Sequence, residues 1–166
     1  PNTDIITTST GSGAVVVYDG ETGISGGNVI ARYSTREVTL NPEFSAKDLQ
    51  VFLTAHRPSG TNVQVYYKIT NSNDPERFLD KNWVLMDLET SEASATSSSG
   101  ETADYWKELK FIPFGHTNDL EFPMKYASAE GYTHTTFNSF AIKICLSATK
   151  HTQVPLVRAL RAIALD

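Results

Sequence analysis

The chain has 166 residues, 40% hydrophobic and 20% charged, with a net charge of −5. That length suits one domain with a real core, and the interspersed charges exclude a broad basic surface for nucleic acid. A lone cysteine, Cys145, excludes a disulfide framework and a cysteine-based zinc site and fits synthesis in a reducing cytoplasm, while no apolar run is long enough to span a bilayer.

Residues 1–28 are rich in Thr, Ser and Gly and are expected to form an N-terminal arm or linker ahead of a domain covering 29–166. The segment has no basic leader, and Pro1 suits either loss of an initiator methionine or excision from a longer chain. Within it, Ala14 to Tyr18 is a short β-branched run, an edge strand or a lead-in that orders only against a neighbour. Val29 to Leu40 is rich in β formers, and its alternation slips between Ser34 and Glu37, where a bulge would return Val38 and Leu40 to the core face. Phe44, in the loop that follows, is expected to plug the end of the fold.

Leu49 to Ile69 contains two runs of period two. Leu49, Val51, Leu53 and Ala55 share one face of the first, and Val63, Val65, Tyr67 and Ile69 share one face of the second. Arg57-Pro58-Ser59-Gly60-Thr61-Asn62 joins them with turn residues, predicting an antiparallel hairpin that sets Phe52 beside Tyr66 on the outer face. Asp74-Pro75-Glu76 predicts a single capped helical turn. Trp83 to Leu88 is a further strand. Glu89 to Asp104 is acidic and poor in large apolar groups, an exposed loop. Tyr105 to Ile112 alternates again, and 114–136 reads as an irregular excursion with short strands.

Phe137 to Ser147 alternates strictly, with Phe140, Ile142, Ile144 and Leu146 inward and Ala141, Lys143, Cys145 and Ser147 outward. The last run, Leu156 to Leu165, also matches helical spacing, but in an otherwise all-β chain it is expected to pair back as a strand. About seven or eight strands with such turns predict an all-β antiparallel sandwich of jelly-roll or related Greek-key order.

Chemistry is scarce in this pattern. The four histidines form no ligand pair. His116, Asp119, Glu121 and His134 are a conceivable cation set, but surface and turn roles explain them more simply, so no metal or cofactor is assigned. There is no nucleophile elbow, phosphate-binding loop or Cys–His signature, which argues against an enzyme and leaves no catalytic residue to name. Aromatics on nominal outer faces remain. Phe52, Tyr66, Trp83 and Trp106, with Arg57 in the turn, are the candidate contacts for a protein interface or a sugar ring.

One resemblance bears on function. Ala31-Arg32-Tyr33, the run Asp48 to Lys68, Phe78-x-Asp80-x-x-Trp83, Phe140-x-Ile142-Lys143-Ile144, Val154-Pro155 and Leu160 to Leu165 together resemble a domain of structural proteins in tailed bacteriophages, chiefly tail and baseplate components of the contractile type. The likeness covers 29–166 in patches and leaves out the first 28 residues. It implies a non-enzymatic virion protein, made in the host cytoplasm, that works by contacts with other virion subunits or further copies of itself. A carbohydrate-binding module contacting host surface glycans is the alternative, on fold-level analogy.

Overall fold

The computed structural model describes residues 5–6, 17–18, 20–29, 31–89, 106–113, 124–128, 130–149 and 152–166. In chain order the strands are β1 (Ile5–Ile6), β2 (Val17–Tyr18), β3 (Ala31–Ser34), β4 (Val38–Thr39), β5 (Asp48–His56), β6 (Thr61–Thr70), β7 (Val84–Leu88), β8 (Lys107–Pro113), β9 (Tyr126–Ala127), β10 (Thr133–His134), β11 (Ser139–Ala148) and β12 (Leu156–Leu165). The acidic segment after Glu89, Tyr105 and residues 114–123 lie outside the described residues.

Eight strands form one antiparallel sheet in the order β12-β5-β8-β7-β6-β11-β3, with β4 also on β11 beside β3. The sheet curls into a half-barrel, an all-β sandwich-like fold. β7 bridges the two walls: Leu85 and Val84 pair with Tyr66 and Tyr67 of β6, then Met86 to Leu88 pair with β8. The core fills the space between the walls. Leu49, Val51, Leu53, Ala55, Leu109 and Phe111 come from one side, and Val65, Ile142 and Ile144 from the other, all at most 4% exposed. Removing such side chains from water is the main stabilising contribution, about 1.5–3 kcal/mol for each large aliphatic group. Phe44 packs on this core as expected, half-buried.

The strands fall largely where the alternation put them, and the terminal run is a strand, paired with β5 from Leu156↔His56 to Leu165↔Asp48. The central hairpin is corrected. β5 is flanked by β12 and β8, and β6 by β11 and β7, so β5 and β6 never pair. The predicted turn does form: Thr61 N donates to Pro58 O at 3.0 Å, and Gly60 takes φ +80°. It carries the chain across the core from one wall to the other, as an arch. Alternation fixes which side chains face inward, and both arrangements satisfy that equally.

Three smaller differences follow from local hydrogen bonding. The Val29–Leu40 run splits into β3 and β4 because Thr35 interrupts it, its Oγ1 accepting from Ile142 N at 3.0 Å while its own amide donates to Ile142 O at 2.9 Å. Leu40 packs on the core, but Val38 stays 41% exposed at the sheet edge. The helical turn is a 3-10 turn at Phe78–Asp80 with no side-chain cap, a few residues later than predicted, while Asp74 accepts from Glu76 N at 3.0 Å and from Lys81 Nζ at 2.5 Å.

Candidate functional site

Both outer faces of the half-barrel and the gap between its edges hold the groups to consider. On the β6–β11 wall the outer face is covered by residues 20–29, part of the segment read from sequence as an arm. Its glycines serve docking: Gly26 and Gly27 hold φ +80° and +77°, and a Cβ on Gly27 would collide with the Glu21 carboxylate. This strap drops Glu21 onto Lys143 and Cys145, which lie two residues apart on the same face of β11. Glu21 is 1% exposed and Lys143 0%. Lys143 Nζ donates to Glu21 Oε2 at 3.0 Å, to Gly26 O at 3.1 Å and to the Glu21 carbonyl, using all three of its protons.

The rest of the Glu21 carboxylate is engaged too: Oε1 accepts from Val29 N at 2.8 Å and Oε2 from Cys145 Sγ at 3.3 Å. Burial alone would raise this carboxyl, but the Val29 amide, Lys143 and Cys145 outweigh it and hold it below its ordinary value. Burial, then the facing carboxylate, pushes the Cys145 thiol up to about 12, so it is protonated and unreactive in this state. The Lys143 ammonium lies 4.4 Å from the ring centroid of Tyr66 and 5.2 Å from that of Trp83. Trp83 N also donates to Thr22 O at 2.8 Å, tying the strap to the start of β7.

Tyr66 and Trp83 therefore belong to a packed interior. Tyr66 is 1% exposed, and its predicted place beside Phe52 does not exist, because the two strands lie on opposite walls. Phe52 instead shares the outer face of the β12-β5-β8 wall with Trp106. Arg161 Cζ sits 4.5 Å from the Phe52 ring and Arg158 Cζ 5.6 Å from that of Trp106, which also meets His56 edge-on. Arg57 lies half-buried in the arch. The five sequence candidates thus divide between an outer face, a buried cluster and a turn. In the cation set weighed from sequence, His134 stacks on Tyr126 at 5.0 Å, and His116, Asp119 and Glu121 lie outside the described residues.

The open side of the half-barrel runs between β3 and β12, the two ends of the sheet. A groove of about 450 Å³ lies there, lined by Ala31, Tyr33, Ile144, Leu146, Val157 and Leu160, with Arg32 and Arg158 at its margins. The register sets its apolar character: Tyr33 and Ala31 stand opposite Ile144 and Leu146, and so point to the core side. Tyr33 is nonetheless 58% exposed, because among the described residues no strand lies beyond β3 to cover it. Across the gap, Val157 and Leu160 stand opposite Ala55 and Leu53 and so also point to the core side, and a bulge between Val157 and Ala159 throws Arg158 out of register.

Sequence reasoning missed this seam and the Glu21–Lys143 pair. Lys143 was readable as an outward residue, but its partner lies 122 residues away in a Gly-rich stretch. No family model matches the chain, and no match is found among curated proteins or among solved structures.

Proposed function

We propose that the chain is a non-enzymatic structural subunit that acts through protein–protein contacts in an assembly, in the setting its sequence resemblance implies, the tail or baseplate of a virion. The observation that carries this reading is the seam: among the described residues, two sheet edges without a strand partner flank an apolar groove. Free edges bearing apolar side chains invite pairing, and a protein that keeps them has a use for them. The partners are other virion subunits, further copies of the same chain included.

Glycan binding has less support. The faces of Phe52 and Trp106 are occupied by arginines, and Tyr66 and Trp83 lie beneath the strap, so no open aromatic platform is left among these four. Light scattering of the full chain over a range of concentrations tests the assembly reading. A mass that rises to a defined multiple of 18.3 kDa supports it. A monomer at every concentration, combined with retention on a glycan array, overturns it.

A further inference from the structure

We infer that the seam between β3 and β12 is a receptor groove for the N-terminal strand of a second copy of this chain, so that subunits join by exchanging arms. This inference rests on the assembly reading and names the partner. An extended segment is the occupant that fits the chemistry: it would meet the free backbone edges of β3 and β12 while its alternate side chains enter the groove beside Tyr33, Leu146 and Leu160.

Two observations point to the arm. The first is where the chain enters the body. Thr22 is held at the β7 side by Trp83, Glu21 lies over β11, and Gly20 sits beside Gly27, whose carbonyl accepts from Arg32 of β3 at 3.0 Å. From Thr22 back to Gly20 the strap thus runs over the outer face of the wall that ends in β3, and Gly20, where it begins, lies beside the carbonyl that Arg32 of β3 holds.

The second is what that segment carries. Ala14-Val15-Val16-Val17-Tyr18 is an uncharged, β-branched run, the composition a half-buried strand needs. Among the described residues Val17–Tyr18 pairs with Ile5–Ile6 and with neither β3 nor β12, and no strand pairs with the outer edge of either, which leaves the seam for a neighbour. The ion pair of Glu21 with Lys143 anchors the base of the arm, letting it transmit load once its tip is seated elsewhere.

The test uses two variants of the full chain. Ala31→Asp with Tyr33→Asp spoils the groove at two exposed positions and leaves the arm intact; Val15→Asp with Val17→Asp spoils the arm and leaves the groove intact. Each alone should associate at least about tenfold more weakly than the unmodified chain, with an unchanged thermal transition. Mixed together, the two should form a one-to-one complex, since one supplies an arm and the other a groove. If the first variant folds poorly, Tyr33→Asp alone replaces it. Association of both variants as strong as that of the unmodified chain overturns the inference and leaves the assembly reading standing. An unmodified chain that is monomeric throughout overturns the inference at its base.

Discussion

Lys143 stands between Ile142 and Ile144 in a strand whose other outward residues are Ala141, Cys145 and Ser147, and it is wholly buried. A lone cation there would be expelled or neutralised; the Glu21 carboxylate and two carbonyls make it tolerable. Glu21→Gln leaves a buried charge without its counter-charge and should loosen the strap, at a cost of about 3–5 kcal/mol. Cys145, the only thiol, reports the event. In the native chain it should resist thiol reagents at pH 8, and in Glu21→Gln it should label several-fold faster; equal rates would mean that the strap does not depend on the pair. Gly27→Ala attacks the same contact sterically, and the strain of a side chain at φ +77° alone is of order 1–3 kcal/mol.

The same carboxylates set the acid response. Glu21 and Asp74 are held below their ordinary values of 4.5 and 3.8, each by hydrogen bonds and a lysine that outweigh burial. Folded, they bind protons less readily than unfolded, so their stabilisation is complete above those ordinary values and is lost as the pH falls through the folded ones. Urea midpoints should therefore fall steeply on acidification toward pH 3. In the Glu21→Gln, Asp74→Asn double variant, weaker at neutral pH, the fall should be shallower; parallel slopes would show that these two groups do not govern it.

β5 and β6 show how far a sequence reads as elements and where it stops. Leu49, Val51, Leu53 and Ala55 are all buried on the predicted face, as are Val63, Val65, Tyr67 and Ile69. Period two is a local signal, and burial on one face of a sheet writes it directly into the residues. Neighbourhood is not local. The turn at Pro58–Thr61 is compatible with both a hairpin and an arch, and the choice is made by β12 and β8, strands more than 50 residues away in sequence that occupy both sides of β5. The strap was illegible for a similar reason: its glycines indicate freedom, and only the far carboxylate–lysine contact shows them used for close approach.

Paired cysteines test the two-sided pairing. Thr54 stands opposite Ala159 on one side and Glu108 on the other, at the Cα spacing of antiparallel partners, about 4.5–5.5 Å, which suits a disulfide. Thr54→Cys with Ala159→Cys, and separately Thr54→Cys with Glu108→Cys, should each oxidise readily. If only one closes, β5 has a free side and the arch is wrong.

At the scale of the molecule, the half-barrel buries one continuous core but leaves its ends unjoined. A closed barrel would have no edges; among the described residues this sheet keeps two, the four-residue β3 with β4 beside it and the ten-residue β12, whose sequence Leu-Val-Arg-Ala-Leu-Arg-Ala-Ile-Ala-Leu holds no proline and no inward charge to discourage pairing. The arm was expected from the Thr, Ser and Gly content of residues 1–28, but the seam could not be read from residue patterns, because an edge is a property of the finished sheet. The account's central claim is that these edges are where the protein meets its neighbours. Amide hydrogen exchange at Ala31–Ser34 and Leu156–Leu165, followed from dilute to concentrated protein, tests it directly. Protection that grows at both edges with concentration, while the amides of β6 and β11 are already slow and stay so, is the predicted result. Edge amides that exchange equally fast at every concentration, in protein that has associated, would place the contacts elsewhere and contradict it.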